Sequence, residues 1–157
     1  MIEQLSKTLL ERMRQQGEIL VTAESCTGGW IAKAVTDHPG SSVIFDRGFV
    51  TYSNEAKQQM LGVRATTLER HGAVSEQTVI EMAQGALQQG AGTLSVAVSG
   101  IAGPDGGSPG KPVGSVWFAW QHGEKSVTRY CRFEGDRNAV RRQAVATAIQ
   151  GVLELLS

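Results

Sequence analysis

The sequence has no long apolar run, and this argues against a membrane-spanning helix, which needs roughly 20 consecutive apolar residues. Residues 1–16 combine charged side chains with apolar ones at the spacing of an amphipathic helix, unlike the apolar centre of a signal peptide. We therefore expect a cytoplasmic protein with no membrane partner.

Cysteine and histidine are scarce, and neither sign of charge is in excess. The 2 cysteines, Cys26 and Cys131, form no CxxC unit, which is typical of free thiols in a reduced compartment. The 3 histidines have no second ligand at metal spacing, so we expect no metal site. Basic and acidic residues balance at 15 each, and we therefore expect no nucleic-acid partner.

Apolar spacing and turn residues indicate one domain of mixed helices and strands. Hydrophobic residues make up 41% of the chain, enough for one packed core. We predict helices over 1–16, 27–37, 55–61, 76–89 and 137–155, the last three capped by Asn54, Ser75 and Asp136. We predict strands over 18–23, 43–52, 94–98, 113–120 and 126–133. The last two strands form a hairpin, so this layered α/β domain has a mixed sheet and is not a simple Rossmann unit.

The turn Ala23-Glu24-Ser25-Cys26-Thr27-Gly28-Gly29, between the first strand and the second helix, is the first chemical feature. Hydroxyl residues followed by glycines leave backbone N–H groups facing open space, and the helix N-terminus adds partial positive charge. The turn therefore suits a phosphate or a developing oxyanion, bound by Thr27, Gly28 and Gly29. The alternative is a capped turn in which Ser25 or Thr27 is only the helix cap.

The segment Tyr52-Ser53-Asn54-Glu55-Ala56-Lys57 is the second feature. Lys57 falls in the first turn of a predicted helix, where the macrodipole disfavours a cation. That field and partial burial would lower the pKa of Lys57 and favour a neutral amine that accepts a proton. Tyr52 is placed to orient the amine or to relay a proton. The alternative is an exposed Lys57 paired with Glu55 or Glu81.

The third feature is a glycine-rich loop, which begins at Ser99-Gly100-Ile101-Ala102-Gly103 after a predicted strand. Glycines let the backbone approach a ligand closely, and loops at strand ends commonly carry the binding sites of α/β proteins. The alternative is a flexible surface connection. Arg137 and Arg141 share a face of the last helix, so both could reach one phosphate, although a solvated charged face is the common outcome.

Six motifs occur in order: A-E-S-C-T-G-G, P-G-S-S, Y-S-N-E-A-K, G-A-V-S, S-G-I-A-G-P-D-G-G and K-P-V-G. Together they resemble the CinA C-terminal domain family, the nicotinamide-nucleotide amidohydrolases, and they cover essentially the whole chain. The resemblance is closest to the stand-alone form of the family. It implies a single three-layer α/β/α domain over residues 1–157, with a mixed sheet.

The resemblance also implies an activity: hydrolysis of nicotinamide mononucleotide to nicotinate mononucleotide and ammonia, in pyridine nucleotide salvage. It implies a serine–lysine mechanism without a metal or other cofactor. Carried over by motif, the catalytic residues are Ser25, Tyr52 and Lys57, and Ser42 is the rival nucleophile. Ser99 also matches a site position, at which many relatives carry threonine.

Two further readings compete with hydrolysis. One is a nucleotide-binding module that has kept the fold and lost the reaction, although the serine, the tyrosine and the lysine are all present here. The other is an interaction domain in DNA uptake or repair, which the neutral charge disfavours. We also expect a homo-oligomer, in the form of a homodimer.

Overall fold

The computed structural model describes all 157 residues, which form six α-helices and five β-strands. The helices are α1 (Ile2–Gln16), α2 (Trp30–Thr36), α3 (Asn54–Leu61), α4 (Ala65–His71), α5 (Glu76–Gln89) and α6 (Arg137–Leu155). The strands are β1 (Leu20–Glu24), β2 (Phe45–Val50), β3 (Leu94–Gly100), β4 (Ser115–His122) and β5 (Lys125–Arg132). A short 3₁₀ turn over Ser41–Val43 precedes β2.

The five strands form one mixed sheet in the order β2-β1-β3-β4-β5. Strand β1 is parallel to both β2 and β3, whereas β4 pairs antiparallel with β3 and β5. The predicted hairpin is therefore β4–β5, and the predicted mixed sheet is confirmed. The carboxyl ends of β1, β2 and β3 lie at one edge of the sheet, the usual place for a binding site in α/β proteins.

Helices cover both faces of the sheet and bury two separate hydrophobic cores. Helices α1, α2 and α6 contribute to the larger core of 24 buried residues on one face. Helices α3, α4 and α5 contribute to the second core of 11 buried residues on the other face. The expected three-layer α/β/α architecture is confirmed. None of the six helices combines the length and the apolarity that a bilayer crossing requires.

Side-chain caps begin three of the six helices, and the structure corrects three of the predictions. Helix α2 begins at Trp30, after Gly29 and without a side-chain cap, rather than at residue 27. The side chains of Ser75 and Asp136 accept backbone N–H bonds and begin α5 and α6, as predicted. The cap of α3 is Ser53 rather than Asn54, because the Ser53 hydroxyl accepts the N–H of Ala56. Helix α4 was not predicted, since its N-cap Arg64 makes no side-chain capping bond that a sequence pattern would indicate.

Candidate active site

The three chemical features of the sequence meet at the carboxyl edge of the parallel strands. Ser25 directly follows β1, and its N–H donates to Val98 O of β3 at 3.1 Å. Thr51 directly follows β2, and its N–H donates to Glu24 O at 2.8 Å. The buried Ser99 lies near the end of β3, one residue beyond Val98, which is the register partner of Glu24. Ser99 therefore lies alongside Ser25.

Lys57 reaches this edge from α3 and contacts Ser25 directly. Its Nζ lies 2.9 Å from Ser25 Oγ, 2.8 Å from Thr51 O and 3.2 Å from Tyr52 O. Both residues are buried, with 1% of Lys57 and 7% of Ser25 exposed. The alternative of an exposed Lys57 paired with Glu55 or Glu81 is wrong. Glu81 instead accepts bonds from Arg64 and Thr67.

The three oxygen contacts of Lys57 Nζ match the three donors of an ammonium group, and they also accommodate a neutral amine. A neutral amine has two N–H donors and one lone pair, whereas an ammonium group has three donors and no acceptor. The two backbone carbonyls, of Thr51 and Tyr52, can take the two N–H groups. Lys57 Nζ donates to Ser25 Oγ when it is charged, whereas in the neutral form its lone pair is left for the hydroxyl of Ser25, which can donate its proton to it.

Burial is the main cause that lowers the pKa of Lys57, to about 8, because the apolar surroundings disfavour the charged ammonium form. The neighbouring Cys26 thiol opposes this shift. The sequence predicts a contribution from the helix field as well as from partial burial. Lys57 is the fourth residue of α3, and the loss of solvent around its amine is what favours the neutral form.

Cys26 adjoins Ser25 but is poorly suited to act as a nucleophile. Its thiol is free and buried, and burial raises its pKa to about 11. Because a thiolate is the reactive form of cysteine, a thiol with this pKa is unreactive near neutral pH. Ser25, with an amine at hydrogen-bond distance, is the better nucleophile of the two.

Glu24 occupies the N-terminus of α2 that we had expected to be open to an anion. Its buried carboxylate accepts the N–H groups of Ile31 and Ala32 at 2.9 and 3.1 Å. The same carboxylate accepts the hydroxyl of Thr27 at 2.6 Å, and Thr27 is itself buried. The positive end of this helix is therefore already neutralised by a side chain of the protein. Sequence reasoning missed Glu24, although an acidic residue at the end of a buried strand was a visible signal.

Arg141 holds the other side of the Ser25 turn. Its Nε donates to Cys26 O at 3.0 Å and one terminal nitrogen donates to Thr27 O at 3.2 Å. Gly28 and Gly29 follow with φ angles of 60° and 100°, which glycine adopts without strain. The backbone N–H groups of Cys26 and Thr27 donate to no protein carbonyl, but only 6% of Cys26 and none of Thr27 is exposed.

Tyr52 and Arg137 connect the glycine-rich loop to the site. Arg137 donates to Gly103 O at 2.8 Å and to the hydroxyl of Tyr52 at 3.1 Å. The side chain of Tyr52 is 63% exposed, and Lys57 contacts the carbonyl oxygen of Tyr52 rather than its phenol. Tyr52 therefore contacts Lys57 through its main-chain carbonyl, whereas its hydroxyl accepts from Arg137 and makes no hydrogen bond with the amine.

Two open cavities flank Arg141. One has a volume of 470 Å³ and is lined by Arg137, Arg141, Asn138 and residues of the glycine-rich loop. The other has a volume of 520 Å³ and is lined by Thr27, Gly28, Gly29, Trp30 and Lys33 together with Arg141. Arg137 and Arg141 thus share one cavity, as their spacing predicts, although each guanidinium also binds protein carbonyls. No group of three or more histidine, cysteine or acidic side chains is arranged to hold a metal.

Ser42, the rival nucleophile, is not brought to the pair within this chain. It lies in the 3₁₀ turn before β2, whereas Thr51 and Tyr52 follow the other end of that strand. The 6 residues of β2 span roughly 20 Å at about 3.3 Å per residue. The structure therefore places Ser25, and not Ser42, beside Lys57.

The protein is a three-layer α/β/α domain. It carries a buried serine–lysine pair at the carboxyl ends of its parallel strands, and such a pair suits nucleophilic chemistry. The sequence profile of the CinA C-terminal domain matches residues 2–156. The chain therefore belongs to the CinA C-terminal domain family.

Curated relatives and solved structures agree with this assignment. The chain is 59% identical to the nicotinamide-nucleotide amidohydrolase PncC of Escherichia coli K12, over 94% of this chain and 90% of that protein. It is 49% identical to the nicotinamide-nucleotide amidohydrolase PncC of Pseudomonas putida, over 98% and 96% of the two chains. The crystal structure of the competence/damage inducible protein CihA from Agrobacterium tumefaciens superposes on this chain with a TM-score of 0.97 at 44% identity. The match covers 99% of this chain and 96% of the CihA chain.

Some relatives are longer proteins. The chain is 48% identical to a CinA-like protein of Akkermansia muciniphila, of which it covers 36%.

Proposed function

We propose that this protein hydrolyses the carboxamide of nicotinamide mononucleotide to give nicotinate mononucleotide and ammonia, a step of pyridine nucleotide salvage. The observation that carries the proposal is the buried contact of 2.9 Å between Lys57 Nζ and Ser25 Oγ. A serine with a neutral lysine can replace the serine–histidine pair of other acyl-transfer enzymes. The names of relatives that are 49% and 59% identical over most of their length support the choice of substrate.

In the first step, Ser25 Oγ attacks the carboxamide carbon while its proton passes to the lone pair of Lys57 Nζ. Two backbone carbonyls hold the remaining hydrogens of that amine, so the lone pair already faces the serine. Little reorientation is needed at the moment of attack, which is the advantage of a preorganised base. The carbonyl π bond opens, and its electron pair passes to the carboxamide oxygen.

The developing oxyanion needs hydrogen-bond donors close to Ser25. The Cys26 N–H directly follows the nucleophile and donates to no protein carbonyl, and the amide after the nucleophile is an oxyanion donor in many acyl-transfer enzymes. Arg141 binds the carbonyl oxygens of Cys26 and Thr27 and so fixes the direction of this turn. We assign the Cys26 amide as a donor of the oxyanion site.

The intermediate then collapses, the C–N bond breaks, and the proton on Lys57 passes to the nitrogen that leaves as ammonia. A water molecule attacks the resulting ester of Ser25, with Lys57 accepting its proton. Breakage of the ester bond releases the carboxylic acid, and the proton returns to Ser25 Oγ. Lys57 thus acts as base and acid in turn, which a pKa of about 8 permits near neutral pH.

The phosphate of the substrate requires an anion site separate from the reacting carbon. The α2 N-terminus is occupied by Glu24, so it is a poor candidate. We assign the phosphate to the cavity that Arg137 and Arg141 line, where both guanidinium groups retain N–H donors. Charge-assisted bonds of this type suit phosphate recognition.

The test is ammonia release from nicotinamide mononucleotide by the purified wild type and by Lys57→Ala. We expect turnover by the wild type and a loss of at least about 1,000-fold in Lys57→Ala, because base and acid are both removed. Unchanged turnover in Lys57→Ala would exclude the lysine base. Binding of the mononucleotide by the wild type without any ammonia release would instead identify a nucleotide-binding module.

A further inference from the structure

We propose that Glu24 is a positioning residue for Ser25: its carboxylate ties the nucleophile turn to the first turn of α2 and so fixes the attacking oxygen. This inference rests on the proposed function. The Glu24 carboxylate accepts bonds only from Thr27, Ile31 and Ala32 and none from Lys57, so its effect on the reaction passes through the residues it holds.

The carboxylate of Glu24 receives all of its hydrogen bonds from the segment that follows Ser25. One oxygen accepts the Thr27 hydroxyl at 2.6 Å and the Ile31 N–H at 2.9 Å, and the other accepts the Ala32 N–H at 3.1 Å. Only 1% of Glu24 is exposed, and none of the five ion pairs in the structure includes it. A buried carboxylate without a cation must be stabilised by such donors, and here the helix N-terminus and one hydroxyl supply them.

Because Glu24 directly precedes Ser25 in the chain, these hydrogen bonds also restrict the position of Ser25. Glu24 is the last residue of β1, and Ser25 is the next residue. The strand end is itself fixed, because Ser25 N donates to Val98 O and Thr51 N donates to Glu24 O. The loop between Ser25 and Ile31 is therefore held at the sheet by backbone bonds and at the helix by the Glu24 carboxylate.

Neutral glutamine cannot reproduce these contacts, although it has the same shape. Its amide group has one acceptor oxygen and one NH₂ donor, whereas three donors converge on the Glu24 carboxylate. In Glu24→Gln at least one N–H or O–H group would face another donor. The turn would then relax, and the geometry between Ser25 and Lys57 would loosen.

Glu81 provides a matched control for a purely structural role. Its carboxylate accepts one backbone N–H, from Arg64 at 2.9 Å, and one threonine hydroxyl, from Thr67 at 2.6 Å, at the start of α4. Arg64 also forms an ion pair with it at 3.2 Å. Glu81→Gln therefore removes a comparable carboxylate from a helix N-terminus, and the residues it holds have no part in the proposed reaction.

The experiment compares the wild type with Glu24→Gln and Glu81→Gln. For each protein, kcat and KM are measured with nicotinamide mononucleotide, and Tm is measured by thermal unfolding. Hydrogen exchange is followed in two segments, 25–32 and 64–71. We expect kcat of Glu24→Gln to fall by about 100-fold, the effect of a displacement of the order of 1 Å, with KM changed by less than about threefold. We expect exchange in 25–32 to rise about tenfold in Glu24→Gln, and exchange in 64–71 to rise in Glu81→Gln without loss of kcat.

Three results would overturn the assignment. The first is a kcat of Glu24→Gln that falls no further than that of Glu81→Gln while the wild type is active. The second is a loss of kcat with unchanged exchange in 25–32, which would mean that Glu24 acts other than by holding this turn. The third, an inactive wild type, would refute the proposed function and with it the role of Glu24.

Thr27 provides a second pair of variants in case Glu24→Gln does not fold. Thr27→Ser keeps the hydroxyl that Glu24 accepts, and Thr27→Val removes it while preserving the volume of the side chain. A hydrogen bond to a charged group contributes about 1.5–3 kcal/mol, which corresponds to a change in rate of about 10- to 150-fold if the reaction depends on it. We expect kcat of Thr27→Ser to exceed that of Thr27→Val by at least about tenfold, and equal values would contradict the proposal.

Discussion

Lys57 Nζ and Ser25 Oγ lie 2.9 Å apart although 32 positions separate the two residues along the chain. The contact forms because β1 and β2 are parallel neighbours, so the residues that follow them emerge at the same edge of the sheet. The amine is held by two carbonyls of the segment after β2, while the hydroxyl belongs to the turn after β1. Each partner is thus anchored by a different strand, and the sheet determines the distance between them.

The pH dependence of the reaction should follow the titration of Lys57. Burial lowers its pKa to about 8, and the proposed base is the unprotonated form. Below that pH the neutral fraction falls tenfold for each pH unit, so kcat/KM should rise with pH and level off above about 8. The measurement is ammonia release at low substrate concentration from pH 6 to 9.5. A profile that is flat through this range would contradict a lysine base.

Ser25 and Ser42 can be separated by their alanine variants. If Ser25 is the nucleophile, Ser25→Ala should lower kcat by at least about 1,000-fold, because no other nucleophile lies against Lys57. If Ser42 formed the acyl-enzyme, Ser42→Ala would show the larger loss. Mass spectrometry of the enzyme quenched during turnover provides an independent check, since the acyl group should be found on the peptide that contains Ser25.

The phosphate assignment predicts a difference between two adjacent arginines. Both guanidinium groups lie 5.7 Å from the centre of the Trp30 ring, but only Arg141 lines the 470 Å³ cavity, whereas Arg142 lines a different cavity with α1 residues. Arg141→Lys should lower kcat/KM for nicotinamide mononucleotide by about 10- to 100-fold, because one charge-assisted contact and the hold on the Ser25 turn are both weakened.

The control is Arg142→Lys, which should change kcat/KM by less than about threefold. The corresponding riboside without the phosphate distinguishes the two effects in Arg141→Lys. A loss confined to the mononucleotide would indicate phosphate binding alone. An equal loss with both substrates would show that Arg141 acts only on the turn, and the phosphate assignment would be wrong.

Much of the fold was predictable because it follows from local signals. The caps Ser75 and Asp136 fixed the starts of α5 and α6, and the alternation around His122-Gly123 indicated the β4–β5 hairpin. Helix α4 has no comparable signal, since the carboxylate that accepts the N–H of its N-cap Arg64 comes from Glu81, in a helix further along the chain. Contacts between distant elements are invisible to a pattern that extends over only a few residues.

The site shows the same division between local and long-range effects. The motif containing Lys57 was visible, but the main cause of its lowered pKa is burial, which depends on how the whole domain packs. The turn after β1 looked open to anions because its glycines and hydroxyls were visible. The Glu24 side chain fills the helix N-terminus from the adjoining strand, and only the structure shows this.

Gly85 allows α3, the helix that carries Lys57, to pack closely on α5. A Cβ atom at this position would overlap the carbonyl oxygen of Leu61, at the end of α3. Gly85→Ala must therefore push the two helices apart, and we expect a destabilisation of about 1–3 kcal/mol together with displacement of Lys57 from Ser25. Activity should fall at least about tenfold even at temperatures where the variant is fully folded.

The measurements are denaturant unfolding and ammonia release at 15 °C, with Gly110→Ala as the control. Gly110 lies in the glycine-rich loop, where an added Cβ meets no atom within 4 Å, so the same chemical change should leave stability within about 0.5 kcal/mol of wild type. If Gly85→Ala lost stability while the folded enzyme kept its full rate, the spacing of α3 and α5 would not control the position of Lys57. A parallel loss of both would show that the catalytic amine is placed by helix packing as well as by its own hydrogen bonds.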